Sequence, residues 1–170
     1  MINKIFGIGL SRTGTHSLVK ALELLGYRIV HYPPTPRLFK IVDKNNGAAD
    51  ITVAANFEIL DQKYPNSKFI LTIREIESWL KSAEEHFTIK KKRPKWQWEL
   101  RKALFNTKYW DRDMFKEAYY NHVKRVENYF RDRPKDLLIM DIVGGDGFEK
   151  LTEFLYTDFR IKDFPHEAIS

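Results

Sequence analysis

Residues 4–17 read Lys4-Ile5-Phe6-Gly7-Ile8-Gly9-Leu10-Ser11-Arg12-Thr13-Gly14-Thr15-His16-Ser17, and this stretch decides the fold. The apolar run 4–9 is too short for a helix and predicts a buried strand. A helix is predicted from about Thr15, because apolar residues recur at helical spacing at Leu18, Ala21, Leu22 and Leu25. A glycine-bearing turn between a strand and a helix directs backbone N–H groups and the positive helix end toward one point. The loop Gly9 to Ser17 is therefore predicted to bind an anion, unless it is only a tight connection with helix-capping hydroxyls.

The rest of the chain alternates between strand and helix patterns. Strands are predicted at 27–32, 68–73 and 137–141, and helices at about 38–42, 54–64, 76–87, 96–105, 112–131 and 148–155. Strands separated by helices favour a mainly parallel sheet with helices on both faces, which is a three-layer α/β fold. We expect one domain over residues 1–170, with a helical insert at about 90–133.

The composition of the chain limits the classes of partner and of chemistry that are possible. The 170-residue chain has a net charge of +6 and no cysteine, which favours an anionic partner and excludes thiolate catalysis and cysteine-ligated metal. No apolar run approaches the roughly 20 residues that a bilayer span needs. The N-terminus lacks the pattern of a secretory signal, so we expect a cytoplasmic protein without a membrane span.

Two common nucleotide patterns fail at single positions of the loop. The ATP-binding pattern has the spacing of Gly9 and Gly14, but Thr15 stands where lysine is required. The dinucleotide pattern begins at Gly7 and Gly9 but meets Arg12 at its third glycine. The cation of this loop, Arg12, thus precedes Gly14, whereas the lysine of the ATP-binding pattern follows the glycine.

The segment Ser11-Arg12-Thr13-Gly14-Thr15-His16-Ser17 resembles the 5′-phosphosulfate loop of sulfotransferases, which use 3′-phosphoadenosine 5′-phosphosulfate (PAPS). A second element is similar to the same family: Arg74 follows the strand 68–73, and Ser82 lies eight residues later. The resemblance implies a P-loop NTPase-like fold, a 5′-phosphosulfate site formed by the residues 11–17, and a 3′-phosphate site formed by Arg74 and Ser82. It also implies sulfuryl transfer to a small-molecule or carbohydrate acceptor without a metal, with Arg12 neutralising the leaving phosphate.

An acceptor hydroxyl or amine needs a base within hydrogen-bond reach. The resemblance places this base at Asp50, for which a helix cap or a loop position is an equal alternative. His31 is the second candidate, because it ends a strand where ligands gather in open α/β sheets. The basic run 90–95 is interpreted as a solvated face, with an acceptor site for an anionic sugar as the alternative.

Two other functions stay open at this level. A P-loop nucleotide or small-molecule kinase should have a lysine after the loop glycine and an acidic Mg²⁺ ligand at a strand end, where this sequence has Thr15 and Arg74. A non-catalytic anion- or nucleic-acid-binding module would use the basic run and nearby tryptophans, but no nucleic-acid motif is present, so we expect no nucleic-acid partner. The sequence is compatible with a homo-oligomer.

Overall fold

A computed structural model of the chain describes residues 1–157 and 163–167. These residues form a parallel sheet of five strands in the order β2-β3-β1-β4-β5. The strands are β1 (Ile5–Gly7), β2 (Ile29–His31), β3 (Gly47–Ala49), β4 (Lys68–Thr72) and β5 (Leu137–Met140). The helices of the described residues are α1 (Thr15–Leu24), α2 (Leu38–Asp43), α3 (Ile51–Ala55), α4 (Phe57–Lys63), α5 (Ile76–Phe87), α6 (Lys95–Phe105), α7 (Arg112–Tyr129) and α8 (Phe148–Leu155).

The core lies in layers on the two faces of this sheet, because successive side chains of a strand point to opposite faces. On one face Ile5 and Ile70 pack against apolar side chains of α1 and α8. On the other face Phe6 and Phe69 pack against α4 and α7. A third cluster, around Trp79, joins α5, α6 and α7. The predicted three-layer α/β fold is confirmed.

The topology places the first loop at a favourable point. The chain fills the sheet on one side of β1 with β2 and β3 and then crosses to the other side with β4. Ligands of open α/β sheets bind beyond the carboxyl ends of the strands where the order reverses in this way. The loop after β1 and Arg74 after β4 both lie at that point.

One strand was missed and one predicted helix was wrong. Strand β3 was not predicted, because its Gly-Ala-Ala sequence lacks the β-branched and aromatic residues that indicate a strand. It forms because β1 and β2 pair with it on both sides. The predicted helix 54–64 is two helices, α3 and α4, since the Asn56 side chain donates to the Thr52 carbonyl at 2.7 Å and ends the first one.

The remaining helices agree with the sequence patterns to within a few residues. Helices α6 and α7 lie in the region 90–133 where an insert is expected. None of the helices in the described parts of the chain combines the length and the apolar character that a bilayer span requires.

Candidate active site

The loop between β1 and α1 turns tightly and leaves the helix end open. Gly14, the N-cap residue of α1, has φ 96°, and no side chain caps the helix there. A Cβ atom on Gly9 would lie 1.8 Å from Oγ1 of Thr72, so this position allows only glycine without a shift of β4. The first amides of α1 therefore stay available to an anion.

Internal hydrogen bonds fix the shape of this loop. Oγ1 of Thr13 donates to the Leu10 carbonyl at 2.6 Å and accepts from Oγ1 of Thr72 at 2.7 Å. The amide of Thr13 also bonds within the loop, to the same carbonyl at 3.3 Å. From α5, Nε1 of Trp79 donates to the Ser11 carbonyl at 2.9 Å. Thr13 is thus used to build the loop, and its buried side chain faces neither cavity described below.

Arg12 and Arg74 lie side by side at the mouth of the loop. Nε of Arg12 donates to Oγ of Ser82 at 2.8 Å, and Nη1 of Arg74 donates to the Arg12 carbonyl at 3.0 Å. Nε of Arg74 donates to Oγ of Ser78 at 2.8 Å. Partial burial and then the charge of Arg74 lower the pKa of Arg12. Two adjacent guanidinium groups, each bonded to a serine hydroxyl, suit a phosphate.

These groups line the first of two cavities, a cleft of about 630 Å³. Its polar lining is Arg12, Ser17, Arg74, Ser78, Lys81, Ser82, Glu85, His166 and Glu167. The hydroxyl of Ser17 accepts from the Glu167 amide at 2.9 Å, so residues 163–167 lie against the start of α1. The predicted phosphate residues Arg12, Ser17, Arg74 and Ser82 are therefore brought to one cleft.

Asp50 and His31 lie together on the opposite side of the loop. The Asp50 carboxylate accepts from Oγ of Ser11 at 2.7 Å, from the Ile51 amide at 2.7 Å and from Nε2 of His31 at 3.1 Å. Burial alone would raise the pKa of Asp50, but these bonds, led by that of His31, hold the pKa below its usual value. Asp50 is also the N-cap residue of α3, so the helix-cap and site interpretations do not exclude each other.

The backbone at two of these residues is unusual. Arg12 has φ 74°, and Asp50 has φ 88° with ψ −171°. The latter region is normally occupied by glycine, and such conformations cost about 1–3 kcal/mol each. The fold retains an arginine and an aspartate where glycine would relieve strain, which points to side-chain function at both positions.

The second cavity, of about 200 Å³, opens onto this pair. Its lining includes the predicted Ser11, Arg12, Thr15, His16, His31 and Asp50. Nε2 of His31 lies 3.1 Å from Oγ1 of Thr15, and the rings of His16 and His31 are tilted by 33° to each other with centroids 3.6 Å apart. Burial and then His31 lower the pKa of His16. Arg12 lines both cavities, the one with the predicted phosphate residues and the one with the two histidines.

Several contributors carry no functional signal in the sequence. Trp79 belongs to an apolar helical stripe, yet its indole holds the loop. Tyr119 of α7 bonds the backbone of Arg74 on both sides, accepting from the amide at 3.0 Å and donating to the carbonyl at 2.7 Å. No motif surrounds His86 in the sequence, yet it lines the second cavity, and burial lowers its pKa to about 4. Within the described residues no group of His, Asp and Glu side chains is arranged to hold a metal ion.

A parallel sheet with an uncapped helix start at its reversal point places the chain among α/β proteins of P-loop NTPase-like fold. The chain belongs to the sulfotransferase domain family, whose model matches residues 4–37 and 32–169. A comparison with curated protein sequences gives no match.

Solved sulfotransferase structures share the fold. A sulfotransferase from Alicyclobacillus acidocaldarius superposes with a TM-score of 0.60 at 15% identity, covering 99% of this chain and 87% of that protein. Mouse sulfotransferase SULT7A1 complexed with PAP superposes with a TM-score of 0.57 at 16% identity, covering 93% of this chain. This chain spans 59% of the length of the mouse protein.

Proposed function

We propose that this protein is a sulfotransferase that moves a sulfuryl group from PAPS to a hydroxyl or amine of a small molecule or sugar. The observation that carries the proposal is the position of Arg12 between two cavities, one cationic and rich in hydroxyls, the other holding a histidine–carboxylate pair. Membership of the sulfotransferase domain family supports transfer chemistry. PAP is the desulfated form of PAPS, and the complex of the mouse sulfotransferase with PAP supports PAPS as the donor.

On the donor side, Arg74 and Ser82 would hold the 3′-phosphate. The open amides from Gly14 to His16, with the hydroxyls of Thr15 and Ser17, would hold the 5′-phosphate. Preorganised donors of this kind stabilise charge that develops during transfer without reorganising. The Arg12 guanidinium would neutralise the charge that grows on the 5′-phosphate as the sulfur–oxygen bond breaks.

On the acceptor side, His31 is the proposed general base and Asp50 its orienting partner. The lowered pKa keeps Asp50 in its carboxylate form, which can only accept hydrogen bonds. In the contact between the two side chains, Nε2 of His31 therefore carries the hydrogen. Nδ1 then holds the lone pair, and it has no hydrogen-bond partner among the described residues. The His31 side chain is 19% exposed against 7% for Asp50, so His31 is the more accessible of the two.

Transfer moves the sulfuryl group from the 5′-phosphate oxygen of PAPS to the acceptor. The acceptor oxygen or nitrogen attacks sulfur while its proton passes to Nδ1 of His31, and the bond from sulfur to the 5′-phosphate oxygen breaks. The products are the sulfated acceptor, 3′-phosphoadenosine 5′-phosphate (PAP) and an imidazolium that the Asp50 carboxylate stabilises. The imidazolium later releases its proton to solvent.

Calorimetric titration of the protein with PAP in EDTA, and separately with ATP and Mg²⁺, tests the donor. We expect saturable one-to-one binding of PAP without Mg²⁺. Arg12→Ala should weaken PAP binding about tenfold to a hundredfold, the contribution of hydrogen bonds to a charged group. Arg112→Ala is the control, because it removes the same charge from an exposed ion pair with Glu77. Binding of Mg-ATP in preference to PAP would favour a kinase and refute the proposal.

A further inference from the structure

The second cavity carries an excess of positive charge. Its lining contains four cations, Arg12, Lys91, Arg93 and Arg101, against a single carboxylate, Asp50. Arg12 also lines the first cavity, which is the donor cleft proposed to bind PAPS. The other three cations lie on the far side of the loop, on α6 and the segment before it, and have no part in the proposed donor site.

Arg101 is a buried cation with little compensation. Its residue is 4% exposed, and its only hydrogen bond within the described residues is a long one, from Nη1 to the Phe87 carbonyl at 3.5 Å. The guanidinium stacks over the rings of Phe87 and Trp98, at 4.7 and 5.3 Å from their centroids. Burial and then Arg93 lower its pKa to about 10, so it remains charged at neutral pH. Aromatic faces offset only part of the cost of burying such a charge.

Arg93 adds a second incompletely paired guanidinium beside the first. Nη1 donates to the Gln97 side chain at 3.2 Å, while Nε and Nη2 are shut off from solvent and have no partner in the described part of the chain. No ion pair with a carboxylate of the described residues forms at either arginine. Two neighbouring cations, one buried and both without an anionic partner among the described residues, repel each other and destabilise the unliganded cavity.

We propose that the cavity binds a small acceptor carrying an oxyanion group, which pairs with Arg93 and Arg101 while its hydroxyl or amine lies at His31. The inference rests on the proposed function, because it names the acceptor class of the same site. An arginine fork presents parallel donors that match the two oxygens of a carboxylate, sulfonate or phosphate. Binding such a group supplies the charge that the cavity lacks.

The size of the cavity sets the size of this acceptor. About 200 Å³ lies below the roughly 300–1,000 Å³ typical of ligand pockets. Tyr32 and Phe87 also line the cavity and supply apolar surface. A compact hydroxylated anion with one ring or a short carbon chain therefore fits this volume.

Matched pairs of probes test the charge requirement on the PAP-saturated protein. We compare 4-hydroxybenzoate with its methyl ester, and D-glucuronate with D-glucose, by calorimetry. The compounds 4-hydroxybenzenesulfonate and 4-hydroxyphenylphosphonate then distinguish a sulfonate or phosphonate from a carboxylate. At least one charged probe should bind about tenfold or more tightly than its neutral counterpart, and raised salt should weaken it. Equal binding of charged and neutral probes, or no binding of either, overturns the proposal.

Variants assign the effect to the two arginines. Arg93→Gln and Arg101→Gln should each weaken the preferred anion about tenfold to a hundredfold while PAP affinity stays within about threefold. Lys92→Gln is the control, because it removes an exposed charge from the same basic run and does not line the cavity. An equal loss in Lys92→Gln would refute a specific pairing. Arg93 is only partly buried, so its variant stays informative if Arg101→Gln fails to fold.

Failure of the two proposals is distinguishable. If PAP does not bind, the donor site fails and the acceptor inference falls with it. If PAP binds and charged probes show no preference, only the acceptor inference fails.

Discussion

Asp50→Asn separates the charge of this residue from its shape. In the wild-type protein Oδ1 accepts from Ser11 and from the Ile51 amide, and Oδ2 contacts Nε2 of His31. An asparagine can keep the first two bonds through its carbonyl oxygen, but its amide then donates toward Nε2. His31 must move its hydrogen to Nδ1, so the nitrogen that would take the acceptor proton loses its lone pair.

The expected loss of activity follows from this change of tautomer. A positioned general base contributes about 10²- to 10⁴-fold to a rate. We expect kcat to fall by about that factor, which is roughly 3–5 kcal/mol of transition-state stabilisation. PAP affinity should change less than about threefold, because Asp50 does not line the donor cleft. The free energy of unfolding should fall by less than about 2 kcal/mol, since two hydrogen bonds survive.

Transfer of ³⁵S from labelled PAPS to the tightest-binding acceptor probe measures kcat, and calorimetry measures PAP affinity. Imidazole ¹⁵N chemical shifts of His31 report its tautomer independently of turnover. Asp61→Asn is the matched control, because Asp61 is a partly buried carboxylate paired with Arg133 away from both cavities. It should lose stability without losing transfer activity.

Two results would refute the reasoning. Retention of kcat within about tenfold would mean that His31 is not a base oriented by Asp50. An unchanged His31 tautomer together with lost activity would point instead to Asp50 itself as the base.

Three further predictions concern the loop, its partner arginine and the core. Arg74→Ala should weaken the binding of PAP about tenfold to a hundredfold, as measured by calorimetry. The binding of AMP, which lacks the 3′-phosphate, should weaken less than about threefold. Equal losses for the two nucleotides would contradict the assignment of Arg74 to the 3′-phosphate. Gly9→Ala should lower the free energy of unfolding in urea by about 1–3 kcal/mol and weaken PAP binding, because the new Cβ atom would collide with Thr72. Gly147→Ala is the control and should be nearly neutral, because its Cβ atom would lie 3.6 Å from the nearest neighbour. Burial lowers the pKa of His122 to about 4 in the folded protein. As the pH falls from about 6.5 to 4, the unfolded chain therefore binds a proton at this histidine while the folded protein stays unprotonated there, and the free energy of unfolding decreases. Urea titrations should show a loss of about 3 kcal/mol from this group over that range, absent in His122→Gln; the same pH dependence in the variant would contradict the assignment.

Much of the architecture could be predicted because its signals are local. The strand–loop–helix unit at the start of the chain, the strand before Arg74 and helices α5 and α7 each follow from apolar spacing or a terminating proline or glycine. Thr15 and Arg12 can likewise be read directly from the sequence, and each makes one of the two common nucleotide patterns fail. Strand β3 escaped prediction because three small residues form a strand only where neighbouring strands pair with them.

The sequence by itself determined the fold class, the loop predicted to bind an anion and the candidates Arg12, Arg74, Asp50 and His31, because motif spacing and strand ends are encoded along the chain. Only the tertiary structure decided that Asp50 and His31 are partners 3.1 Å apart and that Arg12 lines two cavities. It also decided that Arg93, part of a run interpreted as solvated, lies half-buried beside Arg101. Pairing of charges and burial depend on which distant segments the fold brings together, and no local pattern carries that information.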